Sequence, residues 1–101
     1  MLYTIAEIKR RVSPIAKNYG VERVSLFGSY ARGEATEESD IDFRIDSGNM
    51  RGYFKLAGFQ RELCENLNTK VDVLTTGSLD DTFLSRISDE EVLIYEHAEE
   101  Y

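Results

Sequence analysis

Apolar residues recur along this chain at two different spacings, and these spacings predict its helices and strands. Over residues 4–18 and 52–67 they return every three or four positions, which indicates amphipathic helices with one buried face. Three shorter apolar runs, bounded by glycine or polar residues, predict strands. These runs occupy residues 21–27, 40–46 and 71–74.

The first predicted helix carries clear signals at both ends and one conflict inside. Thr4 and Glu7 have the spacing of a capping box, in which each side chain accepts a hydrogen bond from the backbone N–H of the other residue. Gly20 follows the last apolar position and predicts the end of the helix. Pro14 lacks a backbone N–H, so we expect it to kink or split the helix.

The last quarter of the chain predicts one further helix and one ambiguous segment. Apolar residues in 79–87 continue at helical spacing, and Asp80 and Asp81 suit the first turn of that helix. The apolar run 92–95 is compatible with either a helix or a strand. Because the chain has the length of one ordinary domain, we expect residues 1–101 to form a single domain.

Two aspartates lie on one side of the second predicted strand. Side chains two apart in a strand share a face, so Asp40 and Asp42 point away from Ile41 and the predicted core. Two carboxylates this close repel each other, which raises the pKa of one unless a cation lies between them. Such a pair suits Mg²⁺, which prefers oxygen ligands, although an Asp-x-Asp can also be a solvated strand end.

A turn suited to phosphate lies between the first two strands. Gly28 ends an apolar run, and glycine allows unusual backbone dihedrals and the close approach of a ligand. Ser29 is predicted to cap a short helix over 29–32, whose N-terminal N–H groups favour phosphate. Arg32 lies one turn further and can add positive charge. Gly-Ser is also common in ordinary turns, so the turn indicates a phosphate site only in combination with the two aspartates.

The spacing of these pieces resembles a known signature. Gly28-Ser29, then Ala31-Arg32-Gly33, then Ser39-Asp40-Ile41-Asp42 resembles the motif of the DNA polymerase beta-type nucleotidyltransferases, and the chain looks most like their minimal nucleotidyltransferase (MNT) group. The resemblance covers roughly residues 20–75. It implies a polymerase beta-like nucleotidyltransferase fold of the α/β (α+β) class, a small mixed β-sheet of three to four strands with helices packed on one face.

The resemblance also implies the members of a catalytic site. It implies a third carboxylate on a later strand, and Asp72 in the segment Val71–Leu74 supplies one. If Asp72 had no such role, it would indicate an edge strand with one face in water, because an unpaired charge cannot lie in the core. Three carboxylates would then be catalytic and bind two Mg²⁺ ions: Asp40, Asp42 and Asp72. Three residues of the turn would bind the nucleotide, with ATP or another NTP as substrate: Gly28, Ser29 and Arg32.

The resemblance to the MNT group implies a protein partner. Members of that group act as antitoxins and attach AMP to a tyrosine of a HEPN-type ribonuclease toxin, so the implied activity is that of a protein adenylyltransferase. Two alternatives stay open: a non-catalytic module that neutralises its partner by occlusion, and a small-molecule adenylyltransferase. The intact carboxylate set favours catalysis, and the short chain leaves no second domain to build a small-molecule pocket.

Charge and composition narrow the expected partners and location. The net charge of −7 disfavours direct binding to the phosphate backbone of nucleic acids and suits a basic protein partner. We find no signal peptide and no long apolar run, so we expect no membrane span. The single cysteine, Cys64, fits a reducing compartment, and we expect a cytoplasmic protein.

One residue departs from the pattern of the resembled family. Arg44 follows the aspartate pair on the polar face of the strand, where relatives more often carry an apolar residue. It could pair with Asp42 or Asp72, or reach a phosphate. Because neutralising a metal ligand would impair catalysis, we expect instead a pairing that leaves the predicted carboxylates in place.

Overall fold

A computed structural model describes residues 2–98 and arranges them into four strands and four α-helices. The helices are α1 (Ile5–Tyr19), α2 (Ser29–Arg32), α3 (Tyr53–Leu67) and α4 (Asp81–Ser88). The strands are β1 (Arg23–Phe27), β2 (Ile41–Asp46), β3 (Val71–Thr75) and β4 (Val92–Glu96). A single 3₁₀ turn, Thr76–Ser78, follows β3.

The four strands form one mixed sheet in the order β3-β2-β1-β4. β1 pairs antiparallel with β2 and with β4, whereas β2 and β3 run parallel. Parallel strands need a long crossover, and α3 supplies it by carrying the chain from the end of β2 to the start of β3. The predicted mixed sheet of three to four strands is confirmed, and the ambiguous apolar run near the C-terminus is its edge strand β4.

Helices α1 and α3 pack on one face of the sheet and enclose the main core. Ile8 of α1 and Phe59 of α3 are fully buried there, together with Ile41 and Phe43 of β2. Because side chains alternate along a strand, this arrangement leaves Asp42 on the opposite face. The alternation that predicted the polar face of β2 is therefore what keeps its carboxylate out of the core.

Helix α4 contacts the other face of the sheet. The rings of Phe27 in β1 and Phe83 in α4 meet edge to face, with centroids 6.0 Å apart. Ile87, on the next turn of α4, is also buried. This small apolar contact lies outside the main core and holds α4 over the polar face of the sheet, where the predicted site residues lie.

Helix α1 has the predicted ends, but Pro14 does not split it. Thr4 and Glu7 form both hydrogen bonds of the capping box, and Gly20 ends the helix with φ 74°. The helix runs without a break through Pro14, so the predicted split is wrong. The physical reason is packing: Pro14 is exposed and removes one backbone hydrogen bond, while the adjacent Ile15 is buried in the core and holds the helix on the sheet.

Two aromatic side chains at the start of α3 lie almost entirely in solvent. Tyr53 and Phe54 are 89% and 97% exposed. Within residues 2–98, no helix is both long and apolar enough to cross a membrane.

Candidate active site

The turn after β1 requires a glycine. Gly28 has φ 77° and ψ −156°, a conformation that residues with a side chain rarely adopt. A Cβ at this position would also overlap the carboxylate of Asp42, which packs against the Gly28 backbone. The turn and one predicted catalytic carboxylate are thus in direct contact.

Ser29 is the first residue of α2 and does not cap the helix. Gly28 holds the N-cap position, and α2 has no side-chain cap. The predicted capping role of Ser29 is therefore wrong, because Gly28 already makes the turn. Ser29 instead lines a cavity beside Asp42, which leaves it available to a ligand.

The three predicted carboxylates lie close together at one end of β2 and β3. Asp42 and Asp72 are direct neighbours in the parallel ladder between the two strands. Their carboxyl groups are close enough to share a hydrogen bond, and the charge of Asp40, just before β2, also acts on Asp42. The fold therefore brings together the carboxylates that are 30 residues apart in sequence.

Burial and the neighbouring carboxylates raise the pKa of Asp42 from 3.8 to about 6. Burial of the side chain is the largest cause, followed by the negative charges of Asp72 and Asp40. The positive charge of Arg32 acts in the opposite direction and lowers this pKa. A divalent cation would remove the repulsion, so the carboxylate set suits Mg²⁺ both in charge and in donor type.

Asp40, which precedes β2, forms an ion pair with Lys70. Its Oδ2 lies 3.5 Å from Lys70 Nζ, and within residues 2–98 no three carboxylate, histidine or cysteine side chains form a ready-made metal site. The Lys70 side chain is 69% exposed, and exposed ion pairs of this kind contribute little to stability. Asp40 can therefore exchange Lys70 for a cation shared with Asp42 at small energetic cost.

Glu90 connects the Gly28 turn to Arg32. Its Oε2 accepts a hydrogen bond of 2.6 Å from the Gly28 backbone N–H, and it also accepts one of 3.2 Å from Arg32. Arg32 is paired in addition with Glu34, at 3.0 Å. Glu90 was not predicted from the sequence, because 62 residues separate it from Gly28 and only the pairing of β1 with β4 brings the two together.

Arg44 pairs with Glu91, outside the predicted carboxylate set. Its guanidinium donates a 2.9 Å hydrogen bond to Glu91 Oε1. Glu91 Oε2 lies 2.7 Å from Arg44 Nε but outside hydrogen-bond geometry, so this second contact is ionic. Both side chains are largely buried, which makes the pair internally neutral. The expectation of a pairing that leaves Asp42 and Asp72 in place agrees with this geometry.

A cavity of about 390 Å³ opens between the Gly28 turn and α4. Ser29, Arg32 and Asp42 line one side, and Phe83 and Arg86 of α4 line the other. This volume lies in the range of small-ligand clefts. Neither α4 residue was predicted to belong to the site, because helical spacing predicts that α4 exists without telling which face of the sheet it covers.

Comparison with known proteins gives a family match over most of the chain. The family model for polymerase beta, nucleotidyltransferase, matches residues 10–100. A provisionally named protein adenylyltransferase of Methanocaldococcus jannaschii is 44% identical over 88 residues, which cover 87% of this chain and 95% of that protein.

Solved structures match the fold over a similar length. The structure of a provisionally assigned minimal nucleotidyltransferase superposes with a TM-score of 0.77 and 28% identity, covering 88% of this chain and 91% of that one. A chain in the complex of tri-AMPylated Shewanella oneidensis HEPN toxin with MNT antitoxin superposes with a TM-score of 0.71, covering 92% of this chain and 73% of that one. At 14% identity, this second likeness shows the fold alone.

Proposed function

Because the chain belongs to the polymerase beta nucleotidyltransferase family, we propose that it transfers AMP from ATP to a hydroxyl group of a protein partner. The observation that carries the proposal is the contact of Asp42 with the Gly28 turn on one side and with Asp72 on the other. A carboxylate set that needs a cation therefore stands directly beside a turn suited to phosphate.

The three carboxylates would have two roles, metal binding and proton transfer. Asp40 and Asp42 would bind two Mg²⁺ ions, with Asp72 completing the set. When bound, these ions stabilise the charge that develops on the attacking and leaving oxygens. Asp72 lies on the β3 side of the set and would take the proton of the acceptor hydroxyl as general base. A neutral Asp42 would bind a cation poorly, so this carboxyl must be ionised in the active protein.

The turn would hold the phosphates of the nucleotide. Ser29 lines the cavity beside Asp42, and Gly28 allows a ligand to approach the backbone. In the transfer, the acceptor oxygen forms a bond to the α-phosphorus and the bond to the β-phosphate oxygen breaks, so pyrophosphate leaves with the electron pair. The sequence predicted Arg32 as a further phosphate ligand, but its guanidinium is already paired with Glu34 and Glu90.

The proposed acceptor is a tyrosine of a HEPN-type ribonuclease toxin, for which this protein would act as the antitoxin in the cytoplasm. The name of the Methanocaldococcus jannaschii relative and the composition of the Shewanella oneidensis complex support this choice. The alternative is neutralisation by occlusion without catalysis. The Asp42–Asp72 contact favours the enzyme, because a blocking surface gains nothing from a repulsive carboxylate pair.

Calorimetric titration with ATP, with and without Mg²⁺, tests the proposed function. We expect Mg²⁺-dependent binding that is lost in an Asp40→Asn/Asp42→Asn variant. A Glu37→Gln/Glu38→Gln variant removes the same charge from the exposed loop before β2 and should bind ATP like the unchanged protein. If none of the four NTPs binds to the unchanged protein, the occlusion alternative becomes the better explanation.

The acceptor is tested by a transfer assay. The protein is incubated with Mg²⁺, ATP labelled on the α-phosphate and a purified HEPN-type toxin, and label on the toxin is measured. We expect label on the toxin that disappears when its tyrosines are changed to phenylalanine. ATP binding without any transfer to the toxin would contradict the proposed acceptor and leave the nucleotide site intact.

A further inference from the structure

Helix α4 brings a second arginine to the cavity beside the Gly28 turn. Arg86 lies in the last turn of α4 and lines the same cavity as Ser29 and Asp42. An arginine in the last turn of a helix also interacts favourably with the helix dipole, which is a purely structural role. The environment of Arg86 decides between these two roles.

The two arginines of the cavity differ in their partners. Arg32 is held by Glu34 at 3.0 Å and by Glu90 at 3.2 Å, so a phosphate would have to compete with two carboxylates for it. Arg86 is exposed, and among residues 2–98 no carboxylate lies within ion-pair distance of it. In a chain with a net charge of −7, an arginine that faces a cavity without a carboxylate partner is available to an anionic ligand.

The backbone that carries Arg86 is held in place on both sides. Phe83, one turn earlier, packs edge to face on Phe27, and the adjacent Ile87 is buried. The N-terminus of α4 is capped by Asp80, whose carboxylate accepts a hydrogen bond from Phe83 N–H. The helix therefore presents the Arg86 side chain to the cavity from a fixed position.

We propose that Arg86 binds the terminal phosphates of the nucleotide, whereas Arg32 acts as a positioning residue that ties Glu90 to the Gly28 turn. The inference rests on the proposed function, because it assumes that an NTP enters this cavity. A guanidinium can donate two parallel hydrogen bonds to one phosphate, which a solvent-exposed lysine cannot reproduce. Ser29 and Arg86, on opposite walls of the cavity, would then hold the phosphate tail between them.

The test compares the affinities of ATP and AMP in the presence of Mg²⁺ for single variants of the full chain. Arg86→Gln should weaken ATP binding about 10- to 100-fold, since a charge-assisted hydrogen-bonding group is lost, and leave AMP binding within about 2-fold. Arg32→Gln should weaken ATP binding less than Arg86→Gln does. Arg61→Gln makes the same change of charge on the exposed surface of α3 and should bind both nucleotides normally.

The outcomes separate the two proposals. If the unchanged protein binds ATP and Arg86→Gln binds it equally well, the role of Arg86 is overturned and the proposed function stands. Equal weakening of ATP and AMP by Arg86→Gln would also overturn it, because a contact to the terminal phosphates cannot affect AMP. If the unchanged protein binds no NTP, the proposed function fails and the role of Arg86 fails with it. An Arg86→Lys variant keeps the charge and should recover part of the ATP affinity, which excludes misfolding as the cause.

Discussion

Asp42 lies where its ionised form opposes folding, so its replacement should stabilise the protein at neutral pH. The pKa of the Asp42 carboxyl is about 6 in the folded protein and 3.8 ordinarily. The folded protein therefore binds this proton more tightly than the unfolded chain does. The resulting stability is fully present below pH 3.8 and is lost as the pH rises through 6. The full shift corresponds to about 3 kcal/mol, which solvent screening of this half-buried group reduces to about 1–2 kcal/mol. We therefore expect Asp42→Asn to raise the free energy of unfolding by that amount at pH 7.5 and by almost nothing at pH 3.5.

Urea denaturation at the two pH values measures this effect. Glu65→Gln, an exposed change of the same kind on α3, should leave the free energy of unfolding unchanged at both. Mg²⁺ should raise the midpoint of the unchanged protein at pH 7.5 and have little effect on Asp42→Asn, since a ligand that binds the folded state stabilises it. If Asp42→Asn is less stable than the unchanged protein at pH 7.5, the burial and repulsion of the Asp42 carboxylate do not dominate its effect on the free energy of unfolding.

Gly28 should tolerate no side chain, for two separate reasons. The backbone conformation at φ 77° and ψ −156° is accessible to glycine almost alone, and occupying it with another residue costs about 1–3 kcal/mol. The added Cβ would also push the Asp42 carboxylate out of its place. We expect Gly28→Ala to lower the free energy of unfolding by about that amount and to abolish Mg²⁺-dependent ATP binding.

A second glycine provides the control for this change. Gly77 has open space where its Cβ would stand and lies in the 3₁₀ turn after β3. Gly77→Ala should leave both the thermal midpoint and ATP binding unchanged. If Gly28→Ala retained full ATP affinity, the close contact between the turn and Asp42 would not matter for the site.

At the scale of elements, the connection between α4 and β4 supports the Gly28 turn through Glu90. Removing this carboxylate leaves the Gly28 N–H without its acceptor and Arg32 without one of its two partners. We expect Glu90→Ala to lower the free energy of unfolding by about 1–3 kcal/mol. Glu34→Ala removes the other partner of Arg32, but its side chain is 65% exposed, so the loss should stay below about 1 kcal/mol.

Chemical denaturation of the two alanine variants and of Glu90→Gln measures this difference. The glutamine keeps a neutral acceptor for the Gly28 N–H and should recover part of the lost stability. Equal losses for Glu34→Ala and Glu90→Ala would mean that only the charge of Arg32 matters, and that the bond to the turn contributes nothing.

The sequence predicted the elements well where the signal is local. The capping box of Thr4 and Glu7, the end of α1 at Gly20 and the polar face of β2 all depend on residues within a few positions of each other. It failed at Pro14, where tertiary packing holds a helix that the local rule would break. The side chains of Arg44 and Glu91 illustrate the other limit: 47 residues separate them, and nothing near either residue predicts their pairing.

For the molecule as a whole, the resemblance of the sequence to the MNT group predicted the fold and the family, and both are confirmed. The resemblance also predicted that Asp40, Asp42 and Asp72 belong to one catalytic site, and that role stays a prediction. The structure places Asp42 beside Asp72 and pairs Asp40 with Lys70, and the spacing of apolar residues alone does not predict these long-range contacts. The α4 wall of the cavity lay outside the region of the resemblance, so Phe83 and Arg86 entered the site only through the structure. Their placement depends on which face of the sheet α4 covers.

The aromatic pair at the start of α3 should be dispensable for folding. Tyr53 and Phe54 are 89% and 97% exposed, so they bury little apolar surface, and surface changes of this kind usually alter stability by less than about 0.5 kcal/mol. We expect a Tyr53→Ser/Phe54→Ser variant to unfold at the same urea concentration as the unchanged protein. Phe59→Ala, later in the same helix and fully buried, should instead cost about 3–5 kcal/mol. A destabilisation of more than about 1 kcal/mol in the double serine variant would contradict this prediction and show that the two rings stabilise the folded protein despite their exposure.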